Sequence, residues 1–516
     1  MNTVAQTLVD WLKIQGVEVI FGIPGVHTIE LYRALAGAGI RHVTPRHEAA
    51  AGFMADGYAR ISGRFGVALV ITGPGVTNIL TPMAQARADS VPVLVISGVN
   101  RRDTLGKGLG YLHELPDQRA LTRTLGPALH LEDPQALPGL LAHAGRALTT
   151  GRGGPVHIEV PLDLMAAKAP TAAALAHPAP ALPDPAKARA RLRAARRPVI
   201  LAGGGCRRAG PELQSLAEAL GAPVILTTNA RGLMHGHPLT VPASPSLGPV
   251  SDLIRGSDQL LVVGSELGPT DCDMYGKGGM PDLSGMIRID IDGAQLARYH
   301  AALTLQADAA AILPKLAPPA PAPGGAERAA ATRAAAFAAL PEVYQAEVRM
   351  LDALRAAAPG AILVGDSTQT VYAGNLYYDH DRPGGWFNAA TGYGALGFGP
   401  CAAIGAALAD RDARVLCLTG DGGLMFHPGE LRTALDEGLN VTFVVFNNNG
   451  YGEIADAMRE AGVEVIGCTP SAPDMGALAE AMGLPFMRGT DADLPALAGG
   501  LKGPCVIEIL RPSVRP

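Results

Sequence analysis

Three doubly wound α/β domains in tandem are the fold class that this sequence predicts, on three observations. Stretches such as "GVALVITGPG", "DQLLVVGSE" and "NVTFVVFNNN" are continuous runs of Val, Ile, Leu and Phe without polar alternation, the pattern of strands buried on both faces. Helical periodicity separates them, so the strands are joined by crossovers and run parallel. Two Ala/Pro-rich stretches, "APTAAALAHPAPALPDPAKA" (169–188) and "KLAPPAPAPGGAERAA" (315–330), have linker composition. The expected domains are therefore residues 1–167, 189–314 and 331–516.

The first block opens with an amphipathic helix in "MNTVAQTLVDWLKIQGVEVIFG", where Asp10 and Lys13 interrupt the apolar positions. It reads as neither a signal peptide nor a membrane span. Strands follow at "VEVIFGIPG", "GVALVITGPG", "VPVLVISG" and "GPVHIEVP". The middle block repeats the pattern with "RPVILAGGG", "APVILTT", "DQLLVVGSE" and "MIRIDID", and the third with "AILVGDS", "ARVLCLTGDGG", "NVTFVVFNNN" and "PCVIEIL". Six cysteines show no CxxC pairing and sit mostly in apolar runs, as reduced thiols of a cytoplasmic protein would. A net charge of -5 with no Lys/Arg stripe excludes a nucleic-acid partner.

Open α/β sheets bind ligands beyond the carboxyl ends of their strands. Five strands here run into conspicuous turns: "FGIPG", "ITGPGVTN", "LAGGG", "GDSTQ" and "TGDGG". Glycine lets backbone N–H groups approach a phosphate, although one such turn alone is weak evidence. Gly420-Asp421-Gly422-Gly423 and Asn447-Asn448 form a stronger signal. The 24 positions from 423 to 446 fit one crossover helix ("HPGELRTALDEGL") and the next strand. A right-handed crossover then sets the two strand ends side by side. The Asp421 carboxylate, the Asn448 amide oxygen and the Gly450 carbonyl would be hard oxygen ligands for Mg²⁺.

"GDGG" followed at this spacing by "NN" resembles the cofactor motif of thiamine-diphosphate enzymes. The block order is similar to that of pyruvate decarboxylases, benzoylformate decarboxylases and acetolactate synthases. "FGIPG", "RHEAAAGFMADGYAR", "TGPGVTN", "GRGGPVHIEVP" and "GALGFGPCAAIGAALA" carry the likeness across nearly the whole chain. It implies that the first block binds the aminopyrimidine, that the third binds diphosphate and Mg²⁺, and that the middle block is structural. Glu48, in "PRHEAAAG", takes the position of the glutamate that activates the aminopyrimidine. Pro24, Thr72 and Asn78 match positions near that ring. Ser367, Thr368 and Gln369 match a diphosphate turn. Leu396 matches the residue that bends the cofactor, and Gly394 the carbonyl that receives its amino group. A homodimer is implied as the smallest active unit, usually paired into a homotetramer.

The chain also departs from these relatives. It has neither the adjacent histidine pair of pyruvate decarboxylases nor the histidine and serine that benzoylformate decarboxylases carry near Thr72 and Val26. The acetolactate synthase glutamine falls in "YLHELPDQRALTR", where His113 is the first candidate and Gln118 the second; Val26 and His27 stand near the expected substrate position. The flavin-binding Arg is missing from "VVGSELGPTDCDMYG", and "AGGG" lacks GxGxxG spacing, so FAD is doubtful. "PGVHTIELYRAL", "HELPDQRAL" and "NNNGYGEI" look like 5-guanidino-2-oxopentanoate decarboxylases. The implied activity is non-oxidative decarboxylation of a 2-oxo acid, with acetolactate synthase-like carboligation as the alternative. A guanidinium tail asks for a carboxylate, and Glu453, Glu114 and Asp117 are the acidic candidates.

Overall fold

The computed structural model describes residues 2–175, 181–273, 280–317, 321–500 and 502–514. It contains three six-stranded sheets, every pair within them parallel, and one two-stranded antiparallel ribbon. The first sheet runs Arg41–Val43, Val19–Gly22, Gly66–Val70, Val93–Val99, Pro155–Pro161, Ala128–His130. The central sheet runs Thr240–Val241, Val224–Leu226, Pro198–Ala202, Gln259–Val263, Ile287–Asp290, Leu303–Gln306. The third runs Trp386–Asn388, Ile362–Gly365, Val415–Gly420, Val441–Asn447, Cys505–Leu510, Phe486–Gly489. In each sheet the chain starts at an inner strand, builds outward on one side, then returns to build on the other. Each sheet therefore has a switch point beside its first strand, where a crevice opens. Among the described residues no helix is long and apolar enough to cross a membrane.

Both expected linkers are shorter than their composition suggests. Ala169 pairs with Asn2 in the antiparallel ribbon, and a helix already runs over Ala186–Ala194. At the second, the helix Gly325–Ala338 begins inside the Ala-rich run. Alanine is a helix former as well as a linker residue, so composition alone misplaced those ends. Positions 176–180 and 318–320 lie outside the described residues.

The first and third sheets share one apolar core that runs from Phe21, Phe53 and Val70 to Phe398, Cys417 and Val445. Its axis is the contact between the helices Glu48–Ser62 and Phe398–Ala409. They meet backbone to backbone: a Cβ on Gly57 would stand 2.0 Å from the Ala402 carbonyl oxygen, and one on Gly405 1.9 Å from that of Met54. Nothing larger than glycine fits without the helices moving apart. Buried Arg60 ties the crossing, bonding Asp56 and Asp89 and lying over the Phe387 and Phe398 rings. Gly405→Val is expected to destabilise the chain by about 3 kcal/mol or more, since overpacking against backbone cannot relax by rotamer change. Urea unfolding midpoints of the variant and parent check this.

Candidate active site

The third sheet's switch point lies between Ile362–Gly365 and Val415–Gly420. At the end of the second of these strands, Asp421 begins the short helix Asp421–Leu424. Gly420 pairs with Phe446 on the neighbouring strand, so the two motif-bearing ends are adjacent as the spacing requires. Asp421 is buried, and its Oδ2 accepts the Gly450 N–H at 3.1 Å. Burial pushes its carboxyl above the ordinary range, against backbone N–H donors that include Gly422, Gly450 and Asn448. Gly422 and Gly423 are there for contact. A Cβ on Gly422 would meet the Tyr451 ring at 2.5 Å, and one on Gly423 would meet Thr419 Oγ1 at 2.9 Å.

The three consecutive asparagines have separate duties. Asn447 donates to Glu508 at 2.6 Å and accepts the Asn449 N–H at 3.0 Å. Asn449 takes a left-handed φ of 60°, which asparagine tolerates, and accepts the Ala472 N–H. Among the described residues the Asn448 side chain holds no other part of the chain, while its carbonyl accepts the Val514 N–H. That leaves its amide oxygen available beside Asp421. The donor set is one carboxylate, one amide oxygen and backbone carbonyls, all hard oxygens, which fits Mg²⁺.

Asp366, at the other side of the crevice, escaped sequence reasoning. It is buried and accepts N–H bonds from Ser367 (2.8 Å), Gly397 (2.9 Å) and Gly399 (3.2 Å). Burial pushes its carboxyl up to about 6 despite those three donors. Two of those three donors lie thirty-odd positions downstream, but an aspartate ending a buried strand was the available signal. Thr368 caps the helix Gln369–Leu376 through its hydroxyl, so its side chain is already engaged; Ser367 and Gln369 stand partly exposed beside it.

The segment carrying Gly394 and Leu396 is pinned on both flanks. Ala395 N–H donates to Gln85 Oε1 of the first domain at 3.1 Å, and Gly397 N–H to Asp366. Gly394 sits at φ 77°, with nothing within 4 Å of where a Cβ would be. Leu396 is 39% exposed between these anchors, a bulky apolar residue held outward.

In the first domain Glu48 opens its helix, partly exposed, and its Oε2 accepts the Asn78 amide at 3.0 Å. Two predicted site residues are thus brought together. Pro24 is exposed and Val26 60% exposed, while His27 is buried and packs against His113 with ring centroids 5.4 Å apart. Thr72 and Gln118 are bonded to each other. The Thr72 hydroxyl donates to Gln118 Oε1 at 2.8 Å, and the Gly73 N–H donates to the same oxygen at 3.2 Å. Gln118 Nε2 lies within hydrogen-bond distance of Ser97 Oγ, the Gly98 carbonyl and Glu159 Oε2. Its amide is saturated inside the protein, which leaves nothing for a substrate.

The acidic candidates separate in the same way. Glu114 accepts four backbone N–H groups, from Gly108, Leu109, Gly110 and Tyr111, and so closes its own loop. Asp117 caps the helix Gln118–Arg123 through the Ala120 N–H. Glu453 has no hydrogen-bond or ion-pair partner among the described residues. Its carboxyl is raised by partial desolvation and then by the like charges of Asp456 and Glu460.

Family models for the thiamine pyrophosphate enzymes match in all three regions: the N-terminal TPP binding domain over residues 2–121, the central domain over 186–316, and the C-terminal TPP binding domain over 366–509. The chain belongs to the thiamine pyrophosphate enzyme family. It is 43% identical to the probable 2-ketoarginine decarboxylase AruI of Pseudomonas aeruginosa over 95% of this chain and 90% of that one. It is 33% identical to the large subunit of acetolactate synthase isozyme 1 of Escherichia coli, over 87% and 82% of the two chains. An acetolactate synthase of Mycobacterium bovis is 29% identical over 94% and 83%. As a thiamine pyrophosphate enzyme, the chain carries the two cofactor-binding domains at its ends, where the two crevices described above lie.

The central sheet's switch point opens a cavity of about 570 Å³. Its glycines have a packing reason. The Gly205 N–H donates to the Gly264 carbonyl at 3.0 Å, and a Cβ on Gly205 would meet Gly264 Cα at 2.8 Å. That N–H is therefore engaged by the facing turn, so the "AGGG" run is explained by loop meeting loop.

Proposed function

We propose that the chain is a Mg²⁺-dependent thiamine-diphosphate decarboxylase of 2-oxo acids, with 5-guanidino-2-oxopentanoate (2-ketoarginine) as its substrate. The observation that carries the substrate is Glu453: of three acidic candidates it alone keeps a carboxylate free for a guanidinium. The 43% identity to a probable 2-ketoarginine decarboxylase supports it.

Asp421, Asn448 and the Gly450 carbonyl would hold the metal, and the metal the diphosphate. Ser367, Thr368 and Gln369 would add hydroxyl and backbone donors at the N-terminus of an eight-residue helix, with Gly420, Gly422 and Gly423 keeping side chains out of the way. Leu396 would press on the cofactor between its two anchored neighbours, with the Gly394 carbonyl as acceptor. When bound, thiamine diphosphate supplies a nucleophilic carbon and an electron sink for the pair left by departing CO₂. Glu48 would share a proton with the aminopyrimidine ring, and Asn78 would hold the carboxylate in place for it. Thr72 and Gln118 act as positioning residues for the turn beneath His113. Exposed Val26 and Leu396 are surfaces that a second subunit would cover, in line with a homodimer as the minimal unit and a homotetramer as its pair.

Decarboxylation measured against a panel of 2-oxo acids, with cofactor and Mg²⁺ supplied, tests this reading. Preference for pyruvate with acetolactate as product would replace it by the carboligase. Glu453→Gln should lower kcat/KM for 5-guanidino-2-oxopentanoate about ten- to a hundred-fold, the range for one charged hydrogen bond. An uncharged 2-oxo acid of similar length should be nearly unaffected. Equal losses on both would remove Glu453 as the anchor.

A further inference from the structure

Arg511 follows the strand Cys505–Leu510 and reaches both sides of the third domain's crevice. On one side its main-chain N–H donates to the Asn447 carbonyl at 2.9 Å, and its guanidinium lies over the Phe446 ring, 4.3 Å from the centroid. Those two residues end the strand that delivers Asn448. Val514 donates its N–H to the Asn448 carbonyl at 2.8 Å and packs against the next turn, where a Cβ on Gly450 would stand 3.2 Å from Val514 Cβ. The loop with Asn448 and Gly450 is thus fastened by residues 511–514.

On the other side the guanidinium makes a two-point pair with Glu347, Nη1 to Oε1 at 2.6 Å and Nη2 to Oε2 at 2.9 Å. Glu347 Oε2 also accepts the Thr370 hydroxyl at 2.7 Å, and Arg511 Nη2 donates to that hydroxyl oxygen at 3.3 Å. Thr370 is fully buried in the first turn of the helix Gln369–Leu376, next to the Ser367–Gln369 turn. One planar group therefore ties the loop of Asn448 to the helix of the diphosphate turn. A further limb, from Nη2 to Asp491 Oδ1 at 2.9 Å, runs out to the surface.

The pair is nearly dry, with the Arg511 and Glu347 side chains 11% and 7% exposed. A buried ion pair adds little net stability over apolar residues of like volume, because desolvation offsets the attraction. What it adds is geometry, since a bidentate fork permits one relative orientation of its partners. Geometry is what a small cation reads. Mg²⁺ demands near-ideal octahedral ligation at about 2.0–2.1 Å, whereas Ca²⁺ accepts flexible cages at about 2.3–2.6 Å. Selectivity between them therefore turns on how rigidly the oxygen ligands are held.

We propose that Arg511 is a positioning residue that sets the metal preference of this crevice. By locking the Asn447–Gly450 loop to the helix of the diphosphate turn, it keeps the site rigid enough to favour Mg²⁺ over the larger Ca²⁺. This rests on the thiamine-diphosphate and Mg²⁺ reading above. Arg511 touches neither metal nor cofactor in this role; it acts through Asn447 and Thr370, the neighbours of residues that would. Lysine cannot replace it, because a single ammonium cannot make the two-point pair with Glu347.

The test is calorimetry of thiamine diphosphate binding to the metal-stripped chain, once with Mg²⁺ and once with Ca²⁺. Arg511→Lys is one variant. The double variant Arg511→Met with Glu347→Gln is the second, because it leaves no buried carboxylate unpaired and so keeps the fold testable. In both, cofactor affinity with Mg²⁺ should fall about ten-fold, the lower range for a lost outer-shell partner, while affinity with Ca²⁺ stays near the parental value. The Mg²⁺ preference then narrows by about ten-fold. Asp491→Asn, which breaks only the surface limb, should leave the preference unchanged. Equal weakening with both cations marks a merely structural residue; that result, unaltered affinities in the double variant, or a parent with no preference for Mg²⁺ overturns the role of Arg511 and leaves the cofactor reading intact. A parent that binds no thiamine diphosphate with either cation overturns both.

Discussion

Glu48→Gln should leave the folded chain and its hold on thiamine diphosphate close to those of the parent, while exchange of the cofactor's C2 proton with solvent slows by about 10²–10⁴-fold. The geometry separates the two effects. Glu48 accepts the Asn78 amide through Oε2 at 3.0 Å, a bond that a glutamine carbonyl can still accept. The side chain keeps its length and its place at the first turn of a fifteen-residue helix whose body is buried against the third domain. A carboxyl group, which can share a proton with a ring nitrogen, is replaced by an amide, which cannot. Hydrogen–deuterium exchange at C2, followed by NMR of quenched samples, reads the step directly. Exchange at the parental rate would exclude Glu48 from the role. Asn78→Ala should give a smaller loss, because it leaves the carboxyl group and removes only its tether.

What the sequence showed of this protein divides along the range of the forces involved. Strands buried on both faces announce themselves locally, so the runs around Val415–Gly420 and Val441–Asn447 were legible, and the length between them required adjacent ends. Glu48, Asn78, His27 and His113 were each singled out in the sequence, but the contacts between Glu48 and Asn78 and between His27 and His113 appear only in the fold. Contacts set by distant partners were not legible. Asp366 owes its role to amides at 397 and 399, and Gln118 to Thr72, Gly73, Ser97, Gly98 and Glu159. Gln118 entered as the second match to the acetolactate synthase glutamine; its burial is visible only once residues of three neighbouring strands and their turns close over it. Likewise the need for glycine at 57 and 405 comes from the crossing of two helices far apart in sequence. The free state of Glu453 appears only by elimination, after Glu114 and Asp117 are seen to be engaged.

Asp421→Asn should lower metal-dependent retention of thiamine diphosphate by about a hundred-fold or more, since disturbing even an outer-shell partner of a metal ligand costs ten- to a hundred-fold. Asparagine is the informative substitution because it is nearly isosteric. It can still accept the Gly450 N–H that Asp421 accepts at 3.1 Å, so the turn keeps its shape while the site loses its only carboxylate. The charge also sets the pH behaviour. Burial raises the Asp421 carboxyl above its unfolded value, so the cation-free folded chain binds the proton more tightly than the unfolded one. That part of the stability is therefore present at low pH, and is lost as pH rises from the ordinary carboxylate range through the raised folded value. A divalent cation reverses the balance, because it favours the ionised form and competes with the proton. In the parent, Mg²⁺ should stabilise the chain more as pH rises through that window. In Asp421→Asn both dependences should vanish: no pH slope from this group without Mg²⁺, and little stabilisation with it. Thermal unfolding across pH, with Mg²⁺ and with a chelator, measures both, and calorimetry gives the cofactor affinity. Undiminished Mg²⁺-dependent cofactor binding in the asparagine variant would show that the metal, and the diphosphate with it, is held somewhere other than between these two strand ends.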